Sequence, residues 1–162
     1  NEFQGIFHYL SSTKSGNIHD NGIIEVTSNN LRSSSDSKYH PKNVVDSNNN
    51  TTQYMANGGN EAYICFDFKE KRVEITDYVV KNSNSGGKIR NWVFEISDDK
   101  NVWTEIDKNT DYRFSGQMGS FKVRPNRFVR YCRLRHTGQF TDMVYNLVIN
   151  AIELFGRIKI PK

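Results

Sequence analysis

The 162-residue chain contains little cysteine, with Cys65 and Cys132 as its two members. Each lies inside a strand-like run, in Tyr-Ile-Cys-Phe-Asp and Arg-Tyr-Cys-Arg-Leu. We therefore expect buried free thiols, because a disulfide would require a geometry that the sequence does not define. Low cysteine content favours a cytoplasmic protein, with secretion or the cell surface as the alternative location.

Long apolar runs are also missing from the chain. No stretch approaches the roughly 20 apolar residues of a membrane-spanning helix, and no basic-then-apolar segment resembles a signal peptide. The length fits one compact domain. We expect an N-terminal extension over residues 1–21, packed on a single domain over residues 22–162.

The sequence lacks the motifs of common catalytic sites. It has no His-x-x-x-His or Cys-x-x-Cys pair, and its four histidines show no spacing that would activate a cysteine. Residues 85–88, Ser-Gly-Gly-Lys, lack the strand-to-helix context of a phosphate loop. Asp98 and Asp99 fit a solvated turn. We therefore predict a protein that is not an enzyme and requires no cofactor.

The chain does contain a series of short alternating segments. In residues 91–97, Trp92, Phe94 and Ile96 alternate with other residues, which indicates a strand buried on one face. Residues 98–101 form a polar turn and lead into a second strand. The full set of predicted strands is 22–28, 62–68, 73–82, 91–97, 102–107, 118–124, 127–136 and 149–159. Eight short strands predict an all-β sandwich or barrel.

Two segments depart from this pattern. Residues 2–10 place Phe3, Ile6, Phe7 and Leu10 at helical spacing, which predicts a short helix. Residues 29–60 are polar and lack periodicity. A loop of this length is uncommon in a compact domain unless it carries a function.

Positive charge is concentrated late in the chain. Residues 1–112 hold 12 basic and 16 acidic residues, whereas residues 113–162 hold 10 basic and 2 acidic residues. Such a segment can attract phosphate, sulfate or anionic lipid. However, Arg133 and Arg135 fall on one strand face and Arg130 on the other. We therefore expect the charge to disperse over the sandwich, which disfavours nucleic acid as a partner.

Four motifs occur in a familiar order: Val-Asp-Ser-Asn-Asn-Asn-Thr at 45–51, the Trp-initiated segment 92–103, Val-Arg-Tyr-Cys-Arg-Leu at 129–134 and Ala-Ile-Glu-Leu-Phe-Gly at 151–156. Together they resemble the discoidin family, also called the coagulation factor 5/8 type C domain, although Lys100 replaces a usual glycine. The resemblance covers about residues 20–157. It implies an eight-stranded antiparallel jelly-roll sandwich of the galactose-binding-like fold, with a short N-terminal helix or extension.

A narrower resemblance concerns residues 5–7, Gly-Ile-Phe, and 135–138, Arg-His-Thr-Gly. These are similar to the subgroup at the C-terminal end of BTB-type intracellular adaptor proteins of protists. Many extracellular members tie their two ends with a disulfide, for which this chain has no cysteines. We therefore predict a non-catalytic module of a larger protein that recognises a partner protein. The alternative is a module that binds carbohydrate or anionic lipid.

The resemblance also implies where ligands bind. It places the ligand loops at one end of the sandwich, in residues 29–60, 83–90, 111–119 and 136–146. Aromatic and arginine side chains suit both sugars and protein interfaces. The ligand-binding candidates are Tyr39, His40, Tyr54, Arg90, Arg113, Phe114, His136, Phe140 and Tyr145. The alternative for Tyr54 and Tyr145 is that they fold back as plugs of the sandwich end.

Sugar-binding relatives often hold a structural calcium ion in the aspartate loop. Asp46, Asn48 and Thr51 match that loop. Ala151 stands where a closing glutamate is expected, and Glu153 follows two residues later. The alternative is that Asp46 and the adjacent asparagines cap a tight turn through side-chain hydrogen bonds.

Overall fold

A computed structural model describes residues 4–29, 40–46, 54–56, 61–82, 88–137 and 147–161. They form two antiparallel sheets packed face to face, with one short α-helix and one 3-10 helix. The predicted all-β sandwich with a short N-terminal helix is therefore confirmed. No helix within these ranges has the length and apolar character needed to cross a bilayer.

The described residues contain nine strands in two sheets. In chain order they are β1 Glu25–Ser28, β2 Tyr54–Ala56, β3 Tyr63–Asp67, β4 Arg72–Asn82, β5 Trp92–Ser97, β6 Thr104–Asn109, β7 Met118–Lys122, β8 Tyr131–His136 and β9 Leu147–Lys159. The five-stranded sheet has the order β1-β3-β8-β5-β6, and the four-stranded sheet has the order β2-β9-β4-β7. The α-helix, α1, spans Ile6–Ser11, and the 3-10 helix spans Pro41–Val45.

Eight of these strands overlap predicted ones, but the prediction missed β2 and misplaced the start of β6. The three-residue strand β2 lies inside residues 29–60, where a loop was predicted, and it pairs with the start of β9. A strand this short shows no detectable alternation. Val102 was predicted to open the second strand of the hairpin, but it is 72% exposed in the turn and β6 begins at Thr104.

The prediction that β5 is buried on one face was also wrong, because all six of its residues are buried. Trp92, Phe94 and Ile96 face the core, as predicted. On the outer face, Glu95 accepts hydrogen bonds from Nε of Arg133 and of Arg135, each at 2.9 Å. The long arginine side chains of β8 therefore cover the outer face, which the apolar periodicity alone does not reveal.

The core between the sheets is rich in aromatic rings. Tyr78 of β4 stacks on Phe94 of β5, with 4.5 Å between the ring centroids. Its hydroxyl donates to Asp107 at 2.6 Å and accepts from Nε1 of Trp92 at 2.7 Å. Because Tyr78 belongs to one sheet and its partners to the other, this buried network fixes the sheets against each other.

The two cysteines are buried free thiols, as predicted. In the β3–β8 pairing, Cys65 is opposite Arg133, and Cys132 is opposite Phe66. Cross-strand partners share a sheet face, so the two sulfur atoms point to opposite faces and cannot form a disulfide without rearrangement. Burial raises the pKa of Cys65 to about 11, so this thiol stays protonated at neutral pH.

Helix α1 is joined to β9 by the buried carboxylate of Glu153. This carboxylate accepts backbone N–H groups from Gly5 at 3.0 Å, Phe7 at 2.8 Å and His8 at 3.0 Å, and from Leu154 at 2.8 Å. Burial raises the pKa of Glu153, and the four amide donors oppose that shift by favouring the ionised form. The single side chain therefore satisfies three backbone donors at the start of α1.

Changing Glu153 to Gln should lower the free energy of unfolding by about 2 kcal/mol, because the amide group would turn a donor toward buried N–H donors. Urea denaturation measures the loss. Glu105→Gln is the control, since Glu105 forms an exposed ion pair with Arg124, and we expect a change within about 0.5 kcal/mol. Equal losses for the two variants would contradict this role of Glu153.

Candidate functional site

One end of the sandwich gathers most of the long connections. Strands β1, β4, β6 and β8 end there, and β3, β5, β7 and β9 begin there, as the antiparallel pairings require. We call it the loop end, and we call the opposite end, with residues 68–71, 98–103 and 123–130, the turn end. The described part of the loop end consists mainly of residues 88–91, 109–118 and 136–137.

Residues 90 and 91 hold three connections of the loop end together. The N–H of Tyr112 donates to the carbonyl of Arg90 at 2.8 Å, and the N–H of Thr137 donates to the carbonyl of Asn91 at 3.1 Å. The side chain of Asn91 accepts the N–H of Asp111 at 2.8 Å. The segments before β5, after β6 and after β8 therefore form one hydrogen-bonded base.

Asp111 and Arg113 form a charged pair on this base. The carboxylate of Asp111 accepts a hydrogen bond from Arg90, and an oxygen atom lies 3.4 Å from Nη2 of Arg113. The side chains of Asp111 and Arg113 are 60% and 72% exposed. The hydrogen bond from Arg90, with the charge of Arg113, lowers the pKa of Asp111. The pair therefore offers solvent an ionised acceptor beside a guanidinium donor.

Asp111 was not among the residues predicted for the site. Its backbone has φ of +51°, in the left-handed region that aspartate tolerates better than most residues. In the sequence, Asp111 ends a polar Asn-Thr-Asp segment, which is typical of an ordinary turn between strands. The contacts with Arg90 and Asn91 span about 20 positions, and the sequence gives no indication of them.

The aromatic residues Tyr112 and Phe114 pack between the Asp111–Arg113 pair and the core. The ring of Phe114 lies 4.8 Å from that of Tyr112 and 5.9 Å from that of Trp92. The ring of Phe121 in β7 lies 5.1 Å from the ring of Tyr112 and 6.0 Å from the ring of Phe114. Phe114, a predicted ligand contact, thus extends the core toward the loop end.

The remaining described candidates lie apart from this group. His136 ends β8 and is fully buried, and burial lowers its pKa to about 4, so the ring is neutral at pH 7. His40 caps the 3-10 helix and contacts His19 near β1. The β1 and β6 edges of the sheet are four strand spacings apart, about 19 Å. His40 therefore does not join Arg90 and Arg113 in one contact group.

Four further ligand residues were predicted from the sequence. Tyr54 lies in β2, which is described by its backbone, whereas Tyr39, Phe140 and Tyr145 lie outside the described residues. Their contact with a ligand stays a prediction.

In the predicted calcium loop, Asp46 is among the described residues, whereas Asn48 and Thr51 lie outside them. The N–H of Asp46 donates to the carbonyl of Asn43 at 3.3 Å, which ends the 3-10 helix. The described ranges contain no group of three or more His, Cys, Asp or Glu side chains placed to hold a metal. The carboxylate of Glu153, considered from the sequence as a residue near this loop, accepts the backbone N–H groups at the start of α1.

Phe114→Ala should lower the free energy of unfolding by about 2 kcal/mol, because it removes a ring packed on Trp92 and Tyr112. The adjacent variant Arg113→Ala should change stability by no more than about 0.5 kcal/mol, because its side chain is exposed. Thermal and urea unfolding measure both variants. A stable Phe114→Ala protein would contradict the supporting role of this ring.

Comparison with protein families identifies one match. The model of the F5/8 type C domain matches residues 26–149. No curated protein sequence matches the chain.

Solved structures of the same architecture include three that contain sugars. A CBM32 module from Clostridium perfringens in complex with GalNAc-β-1,3-galactose has a TM-score of 0.68 and 13% identity, over 83% of this chain and 96% of that one. The CBM32 of AlyQ with 4,5-unsaturated mannuronic acid has a TM-score of 0.65 and 21% identity, over 82% and 95%. The family 32 module of C. perfringens NanJ with galactose has a TM-score of 0.64 and 8% identity, over 85% and 95%. At these identities, the similarity establishes the fold.

Proposed function

The chain belongs to the F5/8 type C domain family, and from this premise we propose that it is a non-catalytic module that binds carbohydrate at its loop end. Structures of the same fold were solved with galactose, GalNAc-β-1,3-galactose and an unsaturated uronic acid. Those ligands support the class of ligand without identifying the sugar that this chain prefers.

The exposed pair of Asp111 and Arg113 carries the proposal. A sugar hydroxyl both donates and accepts hydrogen bonds, so a diol is matched by an acceptor and a donor placed side by side. Asp111 supplies the acceptor and Arg113 the donors, and charged partners give the stronger hydrogen bonds. Arg90 and Asn91 hold Asp111 in place before ligand arrives, which lowers the entropy lost on binding.

A partner protein is the second candidate, and one observation favours it. The described aromatic rings at the loop end, Tyr112 and Phe114, pack toward Trp92 instead of forming an open platform for a sugar ring. A charged pair of this kind also suits a protein interface, where arginine is a frequent hot spot. The predicted resemblance to BTB-type adaptor proteins, which the comparisons do not support, and the predicted cytoplasmic location both belong to this candidate. Binding of anionic lipid is a separate alternative. The described loop end has an exposed apolar side chain that could contact a membrane, Met118, which is 40% exposed.

The test is a glycan array that includes galactose, N-acetylgalactosamine and uronic acids, followed by calorimetry with the strongest ligand. Asp111→Asn and Arg113→Ala should each weaken binding by about 10- to 100-fold, the effect of losing a charged hydrogen bond. Each titration is run once with calcium and once with a chelator. This comparison tests the predicted calcium ion at Asp46 separately, because sugar binding by Asp111 and Arg113 does not require calcium.

The chain provides a matched control at the turn end. Arg127 and Asp98 form a similarly exposed ion pair at 2.6 Å. Asp98→Asn and Arg127→Ala should leave glycan affinity unchanged. Absence of binding across the array would reject the carbohydrate proposal. Binding of a purified partner protein that depends on Asp111 and Arg113 would then support the second candidate.

A further inference from the structure

Two histidines from separate segments meet beside β1. His19 lies in the turn that precedes β1, and His40 lies directly before the 3-10 helix; their ring centroids are 5.1 Å apart. Nδ1 of His19 accepts the N–H of Val26 at 3.0 Å, and Nδ1 of His40 accepts the N–H of Lys42 at 2.9 Å. A neutral imidazole with an accepting Nδ1 carries its proton on Nε2. Both rings are therefore fixed in the same tautomer.

Other contacts join the same two segments. Nζ of Lys42 lies 2.9 Å from a carboxylate oxygen of Asp20, and the side chain of Asn17 donates to the carbonyl of Lys42 at 3.1 Å. Asn17 also accepts the N–H of His19 at 2.8 Å. Residues 17–20 therefore hold the start of the 3-10 helix, whose Val44 is fully buried.

We propose that His19 and His40 form an acid-sensitive latch between the 17–20 turn and the 3-10 helix Pro41–Val45. Protonation of either ring at Nδ1 turns an acceptor into a donor, so the N–H of Val26 or Lys42 loses its partner. Two protonated rings at this distance also repel each other. The latch therefore opens as the pH falls.

The charges around the rings act in both directions. Asp20 and Glu25 favour protonation of His19, while Lys42 and Lys69 oppose it. His40 faces His19 and Lys42, which oppose its protonation, and Asp20, which favours it. Burial is the largest influence on both residues, and it lowers the pKa of each below the ordinary value of 6.5.

The direction of the pH effect follows from these lowered pKa values. The unfolded chain binds protons near pH 6.5 more readily than the folded chain does, so acid favours unfolding. The contribution of the pair to stability is complete above about pH 7 and declines as the pH falls through 6.5 toward the folded pKa values. His136, also with a lowered pKa, adds a separate decline over the same range.

The first test follows backbone amides of the wild-type protein by NMR between pH 7.5 and 5.0. The amides of Val26 and Lys42 should shift together with one or both imidazoles, and their protection from hydrogen exchange should fall at least tenfold beyond the intrinsic pH effect. The amide of Phe68, which donates to the carbonyl of Arg130, is the internal reference and should stay protected. Unchanged Val26 and Lys42 amides in a folded protein at pH 5.0 would overturn the proposal.

The second test uses the double variant His19→Asn with His40→Asn. The side-chain oxygen of asparagine can accept the same N–H groups and does not titrate in this range, and asparagine is a favoured residue before a helix. Proton uptake on unfolding near pH 6 should fall by up to about two protons per molecule. His136 is unchanged, so its contribution cancels between the two proteins.

His8→Asn is the matched control, because His8 is exposed in α1 and lies outside the cluster. It should retain the wild-type dependence of stability on pH. His40→Asn alone provides a milder variant, which should remove the pH response of the Lys42 amide. The same proton uptake in the double variant as in the wild type would overturn the latch.

Discussion

The position of α1 depends on the hydrogen bonds that its backbone donates to the buried carboxylate of Glu153. It accepts the N–H groups of residues 5, 7 and 8, which precede it by about 145 positions or more. A Cβ atom at Gly5 would lie 2.2 Å from the carbonyl oxygen of Leu154, so only glycine permits this close approach without rearrangement. The contact lets Phe7 pack against Phe66 and Phe68 of the core. The chain has no cysteine near either end, and buried hydrogen bonds connect α1 to β9 instead of a disulfide. Because they cross-link the folded state alone, they do not restrict the unfolded chain as a disulfide does.

A second carboxylate, Glu95, pairs with two arginines from the basic part of the sequence. It binds Arg133 and Arg135 on the outer face of the five-stranded sheet. Burial would raise the pKa of Glu95, but the hydrogen bonds from the two arginines outweigh it and lower the pKa. The guanidinium of Arg133 also lies 3.9 Å from the ring centroid of Trp103. Arg130 is paired with Asp67 in the same sheet. These arginines therefore pair with acidic residues from the earlier part of the chain. The prediction that Arg130 lies on the opposite strand face was wrong, because its partner Asp67 shares the outer face of the sheet with Arg133.

The fold was predictable because local periodicity and the order of four motifs both reflect strands that pack on one core. The pattern of Trp92, Phe94 and Ile96 correctly gave the inner face of β5. Local periodicity failed where a long-range partner decides the outcome. Glu95 is buried because β8 supplies its arginines, and Glu153, first considered beside the calcium loop, is used by α1. The candidate site was less predictable for the same reason. Arg90 and Arg113 were identified, whereas Asp111, which lies between them in space, becomes significant only through its tertiary contacts.

Two charged pairs of similar exposure give a physical reason to place the proposed ligand site at the loop end and not at the turn end. Arg127 and Asp98 approach to 2.6 Å, so each already has a close partner of opposite charge. Arg113 remains 3.4 Å from Asp111, whose carboxylate is bound more closely by Arg90. A ligand at the turn end would have to compete with the existing ion pair. At the loop end, Arg90 continues to hold Asp111 while Arg113 turns its donors toward a hydroxyl or carboxylate. The loop end can therefore gain hydrogen bonds to a ligand without losing the interaction that positions the site.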